Sequence, residues 1–148
     1  MACPYFYPIR EPMPQLEAMP LPLGDAWRGV CRAAAGQQFE PEPATLVPFC
    51  HLGYARGRCA HFPQSDAGAD AVRFAVDRES AAEIGLYYVF ERDHHPFLHG
   101  RLSYSVTRGG FSEGPEDIML RQAEAYIQSY LRRRDEAFPA SEASSKKK

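Results

Sequence analysis

The sequence predicts an α+β protein: a small antiparallel sheet of about three strands with a long C-terminal helix, joined to a Pro-rich, irregular N-terminal half pinned by four cysteines. Three observations carry this reading. Residues 83–92 and 98–106 alternate apolar and polar side chains with the period of a strand. Residues 115–134 repeat apolar side chains at helical spacing. Nine of the thirteen prolines, and all four cysteines, fall within the first 59 of the 148 residues.

Residues 1–23 contain Pro4, Pro8, Pro12, Pro14, Pro20 and Pro22 among aromatic residues, and read as an extended arm. Asp25 is a suitable N-cap for a short helix over 26–35, with Gly36 as its stop. In that helix Trp27, Val30, Cys31 and Ala34 share one face. Residues 37–48 return to irregular chain. The segment 49–63, FCHLGYARGRCAHFP, is the densest in chemistry-bearing side chains.

The second half is more regular. Residues 71–77 read as a first strand. In 83–92, Ile84, Leu86, Tyr88 and Phe90 line one face of a second. Asp93-His94-His95-Pro96 is turn-like, and 98–106 returns as the hairpin partner. A Gly-rich loop follows. Pro115, Glu116 and Asp117 suit the first turn of a helix running to about Arg134, whose arginines at 132–134 complement its C-terminal dipole. The domain reading is one unit over 1–136, divided into a cysteine-bearing segment (1–66) and the strands and helix (67–136). Residues 137–148, ending in three lysines, read as a disordered tail.

Composition narrows the function classes. Hydrophobic residues make up 45% and charged residues 24%, the balance of a folded domain. A formal charge of −2 gives no overall attraction to nucleic acid or anionic lipid. The longest apolar run, Ile84 to Phe90, is strand-sized, so no membrane insertion is expected. The N-terminus lacks the basic and apolar regions of a secretory signal, and the expected location is cytoplasmic. In a reducing compartment, grouped cysteines serve as ligands or buried thiols more often than as disulfides.

The cysteine spacing is C-x27-C-x18-C-x8-C. Zinc knuckles use C-x2–4-C pairs, which this chain lacks. Dispersed single cysteines suit the separated corners of a cubane. Gly53 and Gly57 would let backbone approach such a cluster, and Tyr5, Phe6, Trp27, Phe49, Tyr54 and Phe62 would shield it. The sequence therefore points to Cys3, Cys31, Cys50 and Cys59 as ligands of one iron–sulfur cluster of the [4Fe-4S] type, with zinc as the alternative. The role would be electron transfer, redox sensing or structural support, in company with a protein partner and without enzymatic activity in isolation.

The competing readings are a zinc-stapled or metal-free interaction module, and a nucleic-acid accessory protein using Arg56, Arg58 and stacking aromatics. Buried unliganded thiols are a further alternative, since buried cysteine is a common small hydrophobe. His51 and His61 flank the last two cysteines and read as residues behind the ligands or at the surface, with ligation in place of a cysteine as the alternative. His94, His95 and His99 surround the hairpin turn as a second, weaker set of donors. No P-loop, G-x-G-x-x-G or G-x-S-x-G motif is present.

Overall fold

A computed structural model describes residues 1–10, 21–34, 37–63, 68–111 and 117–137. The chain forms two sheets. The larger is fully antiparallel, in the order β3 (Ala71–Glu79), β4 (Glu83–Arg92), β5 (His95–Ser105), β6 (Gly110–Phe111). The smaller pairs β1 (Phe6–Arg10) with β2 (Arg28–Cys31). A short helix α1 (Pro43–Thr45) runs into a π-helical turn (Leu46–His51), and α2 spans Asp117–Ala137.

The expected fold class is corrected by this architecture. The main sheet has four strands rather than three, because β6 adds to the free edge of β5 at Tyr104 and Ser105. The N-terminal half is not irregular: it holds a second sheet and a helical turn. Within the helix expected over 26–35, Arg28–Cys31 instead form strand β2, and residue 35 lies outside the described residues. Gly29 explains the difference. A side-chain carbon there would lie 2.1 Å from the carbonyl oxygen of Tyr7, so β1 approaches β2 too closely for any other residue. Glycine is also a poor helix former, and it weakened the helical alternative from within. The arm prolines 12, 14 and 20, Gly36 and the helix-opening 115–116 lie outside the described residues, as does the tail from 138 onward.

The period-2 pattern of the main sheet places its apolar face as expected for a half-buried antiparallel sheet. Val72, Phe74 and Val76 pair with Phe90, Tyr88 and Leu86, and the last three with Leu98, Gly100 and Leu102. The β4–β5 turn has Asp93 and His94 both in the left-handed region, at φ 51° and 65°, as a two-residue type I′ hairpin requires. Ala2 extends the sheet at its other edge, exchanging two backbone hydrogen bonds with Val72 at 2.7 and 2.8 Å.

Helix α2 lies between the main sheet and the N-terminal half. Toward the sheet, Tyr126 meets Phe74 with ring centroids 5.8 Å apart, and the Tyr130 hydroxyl donates to Glu79 at 2.5 Å. Toward the N-terminal half, the Gln122 amide donates to the carbonyls of Cys3 and Phe6 at 2.8 and 2.7 Å. Arg121 donates to the carbonyl of Pro8 at 2.7 Å. Ser129 donates to Asp25 at 2.6 Å and accepts from the Trp27 indole at 3.1 Å. Met119, Ala123, Ala125 and Ile127 are buried in one core with Phe6, Leu23, Trp27, Leu86 and Leu102. One helix thus serves as the shared wall of both halves.

Candidate functional site

The four cysteines reach one region by four routes. Cys3 lies just before β1, Cys31 ends β2, Cys50 sits in the π-helical turn, and Cys59 lies in the loop that follows. The Cys3 N–H donates to the Cys50 carbonyl at 3.0 Å. The ladder of β1 and β2 sets Phe6 opposite Cys31, and the Phe6 N–H donates to the Cys3 carbonyl at 3.2 Å. Tyr5 meets Phe62 edge-on at 5.3 Å, and the Phe62 N–H donates to the Cys59 carbonyl at 3.1 Å. None of the four forms a disulfide; Cys3 and Cys50 are buried, and Cys31 and Cys59 are half-buried.

Their electrostatics show the same convergence. Burial pushes the Cys3 thiol up to about 12, with Cys31 and Cys59 adding to the rise. Burial also drives Cys50 upward, reinforced by Cys3, Cys31 and Cys59 together. Cys31 is raised by burial and, to a smaller extent, by Cys59. Each of these groups is held as a neutral thiol, partly because ionising one opposes ionising the next.

The cysteines do not stand as a finished ligand set. Among the described residues, no group of three or more histidine, cysteine, aspartate or glutamate side chains is placed to hold a metal ion. The expectation of cysteines grouped for iron–sulfur ligation is corrected on this finding. The physical reason lies in the packing: neutral thiols behave as small apolar side chains and take positions set by their neighbours. The glycines play other parts as well. Gly53, at φ 71°, admits the chain start, since a side-chain carbon there would lie 2.6 Å from the Met1 carbonyl oxygen. Gly57 has nothing within 4 Å of that position.

The histidines separate. His51 is fully buried, and its Nε2 lies 2.7 Å from the Trp27 carbonyl. Burial lowers its pKa, so the ring is neutral; Nε2–H donates to that carbonyl, and Nδ1 has no hydrogen-bond partner among the described residues. His61 is exposed against Phe39. At the hairpin His94 stacks on Tyr54, with centroids 4.1 Å apart and planes 6° apart, while His99 leans on Tyr87. His94, His95 and His99 do not form a donor cluster.

The chain matches no family model, no curated protein and no solved structure.

Cationic side chains surround the thiol region. Arg32, next to Cys31, lies 3.6 Å over the ring of Tyr7. Arg58, next to Cys59, lies 5.1 Å from the ring centre of Phe49, and Arg56 lies 4.8 Å from that of Phe62. Arg56 also pairs with Asp70 at 2.6 Å, and Asp70 accepts the Asp93 N–H at 2.8 Å. This ties the cysteine loop to the hairpin turn. Tyr54 completes the tie with a hydrogen bond to Glu91, and sits in the left-handed region at φ 53°. Burial, then Glu91, pushes the Tyr54 phenol up to about 12. In the sequence Arg56 enters only in the competing nucleic-acid reading, and Tyr54 as a shield for a cluster. Their partners lie 14 and 37 residues away, and no local pattern announces them.

Proposed function

We propose that this protein is a small metal-binding protein whose four thiols take up a soft, thiophilic metal by converging on it. The observation that supports this most is that the Cys3–Cys50 backbone hydrogen bond, the pairing of Phe6 with Cys31 and the Tyr5–Phe62 contact bring Cys3, Cys31, Cys50 and Cys59 into one region of the N-terminal half. Thiols so placed resist ionisation collectively. A thiophilic cation reverses both terms at once, because coordination deprotonates the sulfur and the bound charge cancels the repulsion. Since the thiols do not stand as a finished ligand set, uptake is coupled to local rearrangement of their side chains. The role in this reading is structural or redox, exercised with a protein partner in a reducing compartment such as the cytoplasm. Among the described residues no helix is long and apolar enough to cross a membrane.

The test is metal analysis of the whole chain, produced with added iron and zinc and purified without oxygen. About one metal centre per chain is expected, lost in each Cys→Ser variant, with acid-labile sulfide distinguishing an iron–sulfur load from zinc alone. Metal below about a tenth of stoichiometry, with four thiols titratable in the native protein, overturns the proposal.

A further inference from the structure

Four cysteines allow three disulfide pairings, and their order in the sequence does not choose among them. The structure does. Cys3 and Cys50 are joined directly, since the Cys3 N–H donates to the Cys50 carbonyl at 3.0 Å. Cys31 is engaged elsewhere, exchanging two backbone hydrogen bonds with Phe39 at 2.8 and 3.4 Å. The Cys59 N–H donates to the Ala55 carbonyl at 2.8 Å, and its carbonyl accepts from Phe62 at 3.1 Å. Among the described residues, no such bond joins Cys31 or Cys59 to another cysteine.

The direct bond fixes how far apart the two chains lie. An N–Cα bond spans about 1.5 Å, and a carbonyl oxygen lies about 2.4 Å from its own Cα. With the 3.0 Å between N and O, the two Cα atoms are at most about 6.9 Å apart even with all four atoms in line. The bends at nitrogen and oxygen bring the separation inside the range of about 4.4–6.8 Å that disulfides span. Both backbones are held in place. The Cys3 carbonyl takes the Phe6 N–H at 3.2 Å and the Gln122 amide at 2.8 Å, and Cys50 sits inside the π-helical turn. Both side chains are buried in the same core with Phe6, Leu46 and Phe62. A disulfide there replaces two small apolar thiols with one apolar bridge and adds no polar group to the core.

We propose that Cys3 and Cys50 are a reversible disulfide pair, closed by exchange with a small disulfide of the oxidised glutathione class. In the first step one protein thiol attacks the small disulfide, forming a mixed disulfide and releasing one reduced small thiol. In the second, the other protein thiol attacks the protein sulfur of that mixed disulfide. The Cys3–Cys50 bond forms and the second small thiol leaves. Two protein thiols are oxidised, one small disulfide is reduced to two thiols, and their protons stay with the released thiols. Because both sulfurs are buried, the first step waits on local opening, so closure is slow and mild urea speeds it. The bridge closes the chain from 3 to 50 into one loop that contains β1, β2 and α1. It therefore narrows the unfolded ensemble of the N-terminal half. The pairing stands on backbone geometry and does not depend on the metal reading.

The whole chain, held with a chelator in mixtures of reduced and oxidised glutathione, tests the pair separately from the metal analysis. Acid-quenched samples are alkylated and mapped by mass spectrometry. Two of the four thiols should disappear into a linked Cys3–Cys50 peptide, and dithiothreitol should restore all four. The oxidised form should unfold at a urea midpoint higher by about 1 M. A Cys31→Ser/Cys59→Ser double variant should form the same bridge; if it does not fold, the wild-type map decides alone. Any other pairing as the main product, glutathione adducts that do not resolve, four alkylatable thiols in the most oxidising mixture, or an oxidised form no more stable than the reduced one overturns the proposal.

Discussion

Asp25 shows what a single residue does here that its neighbours in sequence do not disclose. Its type invites reading as an N-cap, but its partners Ser129, Arg132 and Arg133 lie 104 to 108 residues away. Burial alone would raise its pKa; the Arg132 bond, the Ser129 bond and the two guanidinium charges outweigh it and hold the carboxyl below its ordinary value. A folded-state pKa that is depressed gives stability present above the unfolded value, about 3.9, and lost as pH falls through the folded value. Asp25→Asn should therefore lower stability at pH 7 by about 1–3 kcal/mol, less than a fully buried pair because both arginines are part-exposed. The deficit relative to wild type should shrink on acidification and vanish below the folded-state pKa. Urea titrations at a series of pH values measure it, and a deficit independent of pH would show that packing, not charge, is what the substitution removes. The cysteines were legible as a group from composition alone. That they do not stand as a finished ligand set was not, because side-chain placement depends on the packing of the surrounding apolar side chains.

Among the elements, the β3–β4–β5 meander was readable because Val72, Phe74, Ile84, Leu86, Leu102 and Tyr104 bury one face, so that period 2 appears directly in the sequence, while Ala71 and Val89 are buried on the other. β2 was not readable. The helical spacing of Trp27, Val30, Cys31 and Ala34 around it is a coincidence, and its strand identity comes from β1, whose Pro8 and Tyr7 lie against Gly29. β6 is two residues long in a Gly-rich stretch and has no period to detect. The tight approach of β1 and β2 makes a direct prediction. Gly29→Ala must push against backbone at Tyr7 and Pro8, which cannot rotate away as a side chain can. It should cost about 1–3 kcal/mol and raise hydrogen exchange at Val30 and Cys31. Gly110→Ala is the control, with nothing within 4 Å and no left-handed backbone; it should stay within about 0.5 kcal/mol of wild type. Similar values for the two variants would mean that the small sheet tolerates separation.

For the whole molecule, the position of α2 decides how the halves communicate. A helix covering one sheet face, with the arm on the other, would leave the N-terminal half as a detachable layer. Instead Gln122 and Ser129 reach the N-terminal half while Tyr126 and Tyr130 reach the sheet, all from one helix. Loss of order on either side then strips α2 of half its burial, so the two sides should unfold together. Two probes follow them: Trp27, the sole tryptophan, whose indole meets Ser129, reports where the N-terminal half packs on α2, and helical dichroism reports chiefly α2 itself. Gln122→Ala removes the amide that holds the Cys3 and Phe6 carbonyls and leaves two backbone acceptors without it. Each orphaned acceptor costs about 1–3 kcal/mol. The substitution touches only the N-terminal side, yet both probes should move to the same lower midpoint in denaturant. A Trp27 transition that shifts alone, with the dichroism curve unmoved, would divide the chain into two units. The same coupling would carry metal occupancy to the far side of the molecule. A load bound by the thiols would stabilise the sheet through α2, and the dichroism midpoint would rise with it in proportion to the logarithm of free metal.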